Sequence, residues 1–245
     1  MKAPVIFICI FLLTCSMNCQ ENSMHVLKCG LRVPNNKIWA HRVNDTLAIH
    51  DKENQFGGME LDIIYSPYQD QLFVCHNDSD TINSLSLDLW LTSISHPKEH
   101  SYWLDVKNFN YYNAHPIATR IKEILQHHGI IDHAFIESSS VSALQKVKEL
   151  HLHTSLWVDN FYWTDIDTVD WINKVNKQIE ELQPDAISCE FRMFDALTTH
   201  FPEQNIFLWH TPAELTSENA ELTRSFCRHP SVKIVLVDYD NPIEY

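Results

Sequence analysis

The stretch FGGMELDIIY places two acids, Glu60 and Asp62, inside an apolar run that is typical of a buried β-strand. Side chains two residues apart in a strand point to the same face, so the two carboxylates lie roughly 6–7 Å apart. Two like charges on one face of a buried strand are costly unless a cation or hydrogen-bond donors meet them. The pattern therefore raises the question of which partner offsets them.

Three other short motifs carry residues of similar chemistry. WLDVKN has Asp105 and Lys107 two residues apart at a strand end. WAHRVND ends an apolar run with His41 and Arg42, and LFVCHND ends another with His76. Alone, each motif has an ordinary structural explanation, because a histidine at a strand end is usually hydrogen-bonded structure and Asp-x-Lys can be a local ion pair. Their joint occurrence is what indicates a site.

Three carboxylates, from Glu60, Asp62 and Asp105, are suited to one hard divalent cation, Mg²⁺ or Ca²⁺. Such a cation prefers oxygen ligands and keeps open positions for water or a substrate phosphate. It would offset the repulsion between the acids and neutralise charge that develops on phosphoryl oxygens.

The remaining motif residues fit a phosphodiester bound at that cation. Arg42 and Lys107 could contact the other phosphate oxygens. His41 and His76 could flank the phosphorus, one as nucleophile or general base and the other as general acid towards the leaving group.

Past about residue 35, apolar β-rich runs alternate with helical patterns, which predicts parallel βαβ units. The predicted strands are 37–41, 58–64, 101–106, 132–137, 153–158, 185–189, 205–209 and 233–237, with a short excursion at 72–76. The predicted helices are 44–53, 86–95, 112–128, 139–150, 168–181, 192–199 and 216–227. Eight strands favour a single-domain (β/α)₈ TIM barrel, and a doubly wound open sheet is the competing arrangement.

Polar residues stand at or just after the carboxyl ends of nearly all these strands, where barrel active sites gather. They are His41, Arg42, Glu60, Asp62, Asp105, Lys107, Glu137, Ser138, Asp159, Glu190, Trp209, His210 and Asp238. For Asp159, Glu190 and His210 the simple start of a loop explains the polarity equally well.

Composition narrows the function classes. The 245-residue chain has a formal net charge of −14 and only 18 Lys and Arg, so we expect no nucleic-acid partner. With 4 glycines it has no Gly-rich phosphate loop. We expect a monomer.

Residues 1–19 combine one Lys, an apolar run and small or polar residues, which predicts an export signal. Cys15 and Cys19 follow the apolar run, so a lipidated cysteine, with Cys19 slightly favoured, could tether the protein to a membrane at the periplasmic or cell-surface side. Ordinary signal cleavage and secretion is the alternative. Residues 20–36 would then be an N-terminal tether, and 37–245 the barrel. Four further scattered cysteines permit a disulfide in an exported protein.

In sequence order, His-Arg, Glu-x-Asp, His and acid-x-Lys resemble the glycerophosphodiester phosphodiesterases, members of the phospholipase-C-like phosphodiesterase superfamily of TIM barrels. IESSSVSALQKVKEL, NIFLWHTPAE and KIVLVDYDNP resemble later segments of that family, so the similarity runs from about 37 to 242. HRVN and DVK are also similar to sphingomyelinase D proteins, and HRVND with WLDVKN is similar to the menorin family.

This resemblance implies His41 and His76 as the acid–base pair, Glu60, Asp62 and Asp105 as metal ligands, and Lys107 as a phosphate contact. It implies that Trp209 lines the pocket, and Arg42 matches the glycerophosphodiesterase arginine. The family glycine after His-Arg is replaced by Val43, and the insertion after the second histidine is shortened. These departures bear on the expected substrate more than on the expected metal site.

The sequence thus predicts an exported, metal-dependent phosphodiesterase acting on a glycerophosphodiester or phospholipid headgroup, by hydrolysis or by cyclisation onto a substrate hydroxyl. A non-catalytic, menorin-like or anion-binding barrel is the alternative. A glycosidase barrel would not explain the paired histidines or Asp105-x-Lys107.

Overall fold

The computed structural model describes residues 23–212 and 214–240, so the predicted signal at 1–19 lies outside the described residues. Eleven strands occur within these ranges. They are β1 Met24–Val26, β2 Arg32–Pro34, β3 Ile38–Ala40, β4 Gly58–Ser66, β5 Gln71–Val74, β6 Ser101–Val106, β7 Ala134–Ser138, β8 His153–Trp157, β9 Ala186–Glu190, β10 Ile206–Trp209 and β11 Val232–Val237.

Eight parallel strands, as counted within the described ranges, close into a barrel. Their order is β3-β11-β10-β9-β8-β7-β6-β4, and the pairing of Ala40 with Met59 joins β3 back to β4. β5 pairs antiparallel with β4 and corresponds to the short excursion predicted at 72–76. The closed TIM barrel is confirmed, and closure excludes the doubly wound open sheet.

Helices follow the strands where the 3–4 apolar spacing predicts them. They are α1 Thr46–Lys52, α2 Leu87–Thr92, α3 Ala114–His128, α4 Val141–Glu149, α5 Thr168–Leu182, α6 Phe194–His200 and α7 Ser217–Arg228. In α3, Ile117, Ile121 and Leu125 form the buried stripe. No helix in the described part of the chain combines the length and apolar character needed to cross a bilayer.

Polar side chains set where helices begin. The carboxylate of Asp167 accepts hydrogen bonds from the backbone N–H groups of Val169 and Asp170 at the start of α5. The hydroxyl of Ser86 accepts one from Leu89 at the start of α2. These caps satisfy amide donors that have no partner inside the helix.

A short antiparallel hairpin of β1 and β2 lies within the predicted 20–36 segment, and sequence reasoning missed it. Leu27, Leu31 and Val33 of this hairpin are buried in one apolar cluster with Trp103 and Phe207 from the barrel strands. The hairpin therefore packs against the barrel rather than standing apart from it.

Gly58 opens β4 because the Trp39 ring occupies the space of a side chain. A Cβ at this position would lie 2.0 Å from Trp39 Cδ2. Because the ring and the backbone approach this closely, β4 begins directly beside β3, two residues before Glu60.

Candidate active site

Strand register brings the three predicted metal-ligating acids together, two on β4 and one near the carboxyl end of β6. Asp62 pairs directly with Asp105 across the two strands, and Glu60 precedes Asp62 on the same face. One carboxylate oxygen from each of the three lies within 4.8 Å of the others. Glu60 is 2% exposed and Asp62 1% exposed, so most of this charge is withdrawn from water.

Nearby donors partly offset the charge of the cluster. Lys107 Nζ lies 2.6 Å from Asp62 Oδ1 and also forms an ion pair with Asp105. Asn44 holds Asp62 from two sides: its Nδ2 donates to Asp62 Oδ2 at 2.7 Å, and its Oδ1 accepts from the Asp62 backbone N–H at 3.0 Å. The Arg42 backbone N–H donates to Glu60 Oε2 at 2.7 Å.

These donors do not fully offset the negative charge of the three carboxylates. Burial raises the pKa of Glu60 well above its ordinary value, and the charges of Asp62 and Asp105 raise it further. Burial also raises the pKa of Asp105, although Lys107 acts in the opposite direction. Burial alone would lower the pKa of Lys107, but Asp105 and Asp62 raise it above its ordinary value. The residues present therefore fit a site that gains stability when a further cation arrives.

His41 stands between two acids at the end of β3. Its Nδ1 lies 2.7 Å from Asp238 Oδ1, so an Nδ1–H donates to that carboxylate, and its Nε2 lies 3.7 Å from Glu60 Oε2. The next residue, Arg42, has a φ of 53°, in the left-handed region that few side chains adopt. This turn aims the Arg42 backbone N–H at Glu60, while the exposed guanidinium has no hydrogen-bond or ion-pair partner among the described residues.

His76 makes fewer contacts than His41. It is exposed, and its Nδ1 lies 3.2 Å from the side-chain oxygen of its neighbour Asn77. The Cys75 backbone N–H donates to the Asp62 carbonyl at 3.0 Å, which places His76 at the same end of β4 as the acids. His76 does not line the cavity in this conformation.

A cavity of about 440 Å³ opens at this end of the barrel. Six of the predicted site residues meet it: His41, Arg42, Glu60, Asp105, Lys107 and Trp209. Asp62 lies beneath it, bonded to Asn44 and Lys107. Trp157 and Trp209 also line the cavity, with ring centroids 6.2 Å apart, so its lining is aromatic as well as charged.

Glu137 is a further acid in the cavity wall whose role the sequence did not reveal. It lies at the end of β7, accepts a hydrogen bond from the Ser188 hydroxyl and is 6% exposed. Burial raises its pKa to about 8, and the charge of Asp105 adds to the effect. Its position at a strand end was the available signal, as it was for Asp238, the partner of His41. No feature of the sequence indicated that Asn44 would bond to Asp62 or that Trp157 would line the cavity.

Comparison with known proteins supports the fold alone. No protein-family model matches the sequence, and no curated protein matches it. Among solved structures, a glycerophosphodiester phosphodiesterase from Parabacteroides distasonis matches with a TM-score of 0.62 at 11% identity, over 83% of this chain and 93% of that chain. One from Agrobacterium tumefaciens matches with a TM-score of 0.60 at 12% identity, over 85% and 98%.

An Oleispira antarctica phosphodiesterase, solved in complex with the product sn-glycerol-3-phosphate, also matches. Its TM-score is 0.60 at 12% identity, over 83% of this chain and 93% of that chain. The resemblance to glycerophosphodiester phosphodiesterase barrels is thus confirmed at the level of the fold. The similarity to sphingomyelinase D and menorin proteins stays a prediction.

Proposed function

We propose that this chain is an exported phosphodiesterase that requires one divalent cation, Mg²⁺ or Ca²⁺, and acts on a glycerophosphodiester or a phospholipid headgroup. The observation that carries the proposal is the meeting of three carboxylates with His41, Arg42 and Lys107 at one cavity. The similarity of the fold to phosphodiesterase structures supports the same reaction class.

Glu60, Asp62 and Asp105 would hold the cation, with Asn44 keeping the Asp62 carboxylate in place. When bound, the cation would neutralise charge on the phosphoryl oxygens and lower the barrier to attack at phosphorus. The Arg42 guanidinium meets the cavity without a partner among the residues that the structure describes, and it would bind phosphate oxygens in the forked geometry that suits this group. Lys107 would contribute a point charge beside it.

His41 is the better supported of the two histidines. In the neutral imidazole, donation of Nδ1–H to Asp238 leaves Nε2 with a lone pair, and Nε2 would then accept the proton of the attacking hydroxyl. That hydroxyl would belong to water or to the substrate itself, which gives a hydrolytic or a cyclising reaction respectively. His76 would donate a proton to the leaving oxygen, and its exposed position at the same strand end leaves it room to approach a bound substrate.

The second candidate is a non-catalytic barrel that binds anions. One observation favours it: Lys107 already lies between Asp62 and Asp105, so an internal ammonium partly takes the place of an external cation. Arg42 at the cavity would then bind a phosphate group without turnover.

Turnover separates the two candidates. The purified chain is assayed with bis(p-nitrophenyl) phosphate, glycerophosphocholine and a lysophospholipid, with Mg²⁺, Ca²⁺ or EDTA. We expect cation-dependent release that falls by about 10²–10⁴-fold in His41→Ala and His76→Ala. His127→Ala, an exposed histidine on α3, is the matched control and should keep full activity. Phosphorus NMR of the products distinguishes a monoester from a cyclic phosphate.

Turnover that persists in EDTA, or that His41→Ala leaves unchanged, would contradict the proposed mechanism. Absence of turnover together with thermal stabilisation by inorganic phosphate would favour the anion-binding barrel.

The export signal and the membrane tether are tested separately, by mass spectrometry of the mature N-terminus. We expect cleavage before Cys19 or Cys15 with an added lipid mass, and an unmodified N-terminus would indicate plain secretion.

A further inference from the structure

The amino ends of three neighbouring barrel strands carry a second group of potential ligands, away from the candidate active site. His153 is the first residue of β8, Asp185 immediately precedes β9, and Asp132 lies shortly before β7. Because parallel strands all begin at the same end of a barrel, these residues lie at the end opposite to the acids of β4 and β6. The β1–β2 turn adds Cys29 to them.

Backbone geometry holds Cys29 over His153. The turn is closed by hydrogen bonds from Leu27 N–H to Leu31 O and from Gly30 N–H to Leu27 O, each 2.9 Å. Gly30 has a φ of 99°, a conformation that favours glycine, and a Cβ there would lie 3.6 Å from His153 Cε1. The thiol therefore reaches the imidazole from a short, defined loop.

We propose that Cys29, His153 and Asp185 bind a borderline-soft divalent cation of the Zn²⁺ class, which fastens the N-terminal hairpin to the barrel. Sulfur, nitrogen and carboxylate oxygen are the ligand types that Zn²⁺ takes, and three protein ligands leave a fourth position for water. One ligand atom from each of the three residues lies within 4.8 Å of the others.

The distances suit a tetrahedral ion. Zinc-to-ligand lengths place neighbouring ligand atoms roughly 3.4–3.6 Å apart around the metal. His153 Nδ1 lies 3.7 Å from Asp185 Oδ2, so only a small adjustment is needed. Hard cations are less suited to this set, because a thiolate is a poor ligand for them.

A backbone donor positions the Asp185 carboxylate, and a further acid lies near His153. The Thr154 backbone N–H donates to Asp185 Oδ2 at 2.8 Å, and Asp132 Oδ1 lies 3.9 Å from the other imidazole nitrogen of His153. Zn²⁺ binds a thiolate and a neutral imidazole, so its binding would release the protons that these ligands carry.

Zinc binding to the purified, untagged chain tests the proposal. We expect one equivalent of Zn²⁺ by isothermal titration calorimetry and elemental analysis, and a higher melting temperature with Zn²⁺. Co²⁺ in its place should give a thiolate-to-metal charge-transfer band. Cys29→Ser should remove that band, and both Cys29→Ser and Asp185→Asn should weaken Zn²⁺ binding by at least about tenfold.

Two controls account for the other acid and histidine clusters. Asp105→Asn alters the acids of the candidate active site, and the double variant His127→Ala/His128→Ala alters a surface group that includes Asp88. Both should keep the Zn²⁺ affinity of the parent. Equal affinity in Cys29→Ser, or loss of binding in either control instead, would overturn the proposal.

A chemical measurement covers the case in which Cys29→Ser does not fold. Cys29 is partly exposed in the parent protein, so iodoacetamide should alkylate it, as located by peptide mass spectrometry. Zn²⁺ should slow alkylation of Cys29 by at least about tenfold, since a bound thiolate is a weaker nucleophile. Alkylation at an unchanged rate with saturating Zn²⁺ would refute the site.

Discussion

Replacement of Glu137 by Gln should stabilise the protein increasingly as the pH rises. Burial of Glu137 raises its pKa from 4.5 to about 8, so the folded protein keeps this proton where the unfolded chain has lost it. The unfolding free energy of the parent therefore falls as the pH rises through this window. Between pH 4.5 and pH 7 the loss attributable to this group is about 3 kcal/mol, at roughly 1.4 kcal/mol per pH unit. The amide that replaces the carboxyl group in Glu137→Gln cannot ionise, so the variant escapes that loss.

The assay is urea unfolding of both proteins, followed by tryptophan fluorescence in EDTA at several pH values from 4.5 to 7. The amide of the variant can still accept the Ser188 hydroxyl hydrogen bond, so any change in that bond gives a constant offset rather than a pH dependence. Glu218→Gln, an exposed position on α7, is the matched control and should follow the parent at every pH. Parallel curves for parent and Glu137→Gln would show that this carboxyl titrates normally and would refute the reasoning.

Four further outcomes are expected. Gly58→Ala should lower the unfolding free energy by about 1–3 kcal/mol in urea unfolding, because the new methyl group would collide with the Trp39 ring. Asp167→Ala should cost about 1 kcal/mol in the same assay, since α5 loses two capping hydrogen bonds. Asn44→Ala should weaken Mg²⁺ or Ca²⁺ binding by about 10–100-fold in calorimetric titration, because Asp62 loses the amide that orients it. Light scattering after size exclusion should give the mass of one chain, and a dimer mass would contradict the expected monomer.

The barrel could be predicted from the sequence because the pattern that indicates its strands and helices is local and repeats along the chain. Seven of the eight apolar runs of strand length are followed by a helical pattern of apolar residues, and this repetition leaves few arrangements. The β1–β2 hairpin could not be predicted in this way. Its strands, Met24–Val26 and Arg32–Pro34, have three residues each, which is too short to show a period, and the hairpin depends on packing against distant strands.

Residues on strands were easier to place than residues on loops. Glu60, Asp62 and Asp105 lie on paired strands, so the two-residue repeat and the parallel register determine which way they point. His76 follows the short strand β5 and precedes a loop, so its side chain depends on contacts that no sequence period describes. The partnership of His41 with Asp238 likewise joins residues 197 positions apart, which only barrel closure brings together.

The acids of the cavity are difficult to explain as elements of the fold alone. Glu60 and Glu137 are nearly inaccessible, and burial raises the pKa of both, so each lowers stability near neutral pH. Apolar side chains of similar volume at such buried positions commonly give equal or greater stability. Lys107 relieves part of the repulsion, but burial and the charges of Asp62 and Asp105 still raise the pKa of Glu60, so a further positive charge would be favourable there. A bound divalent cation would supply that charge at the point where a phosphate can also reach Arg42, which is why we favour a catalytic site over a purely structural one.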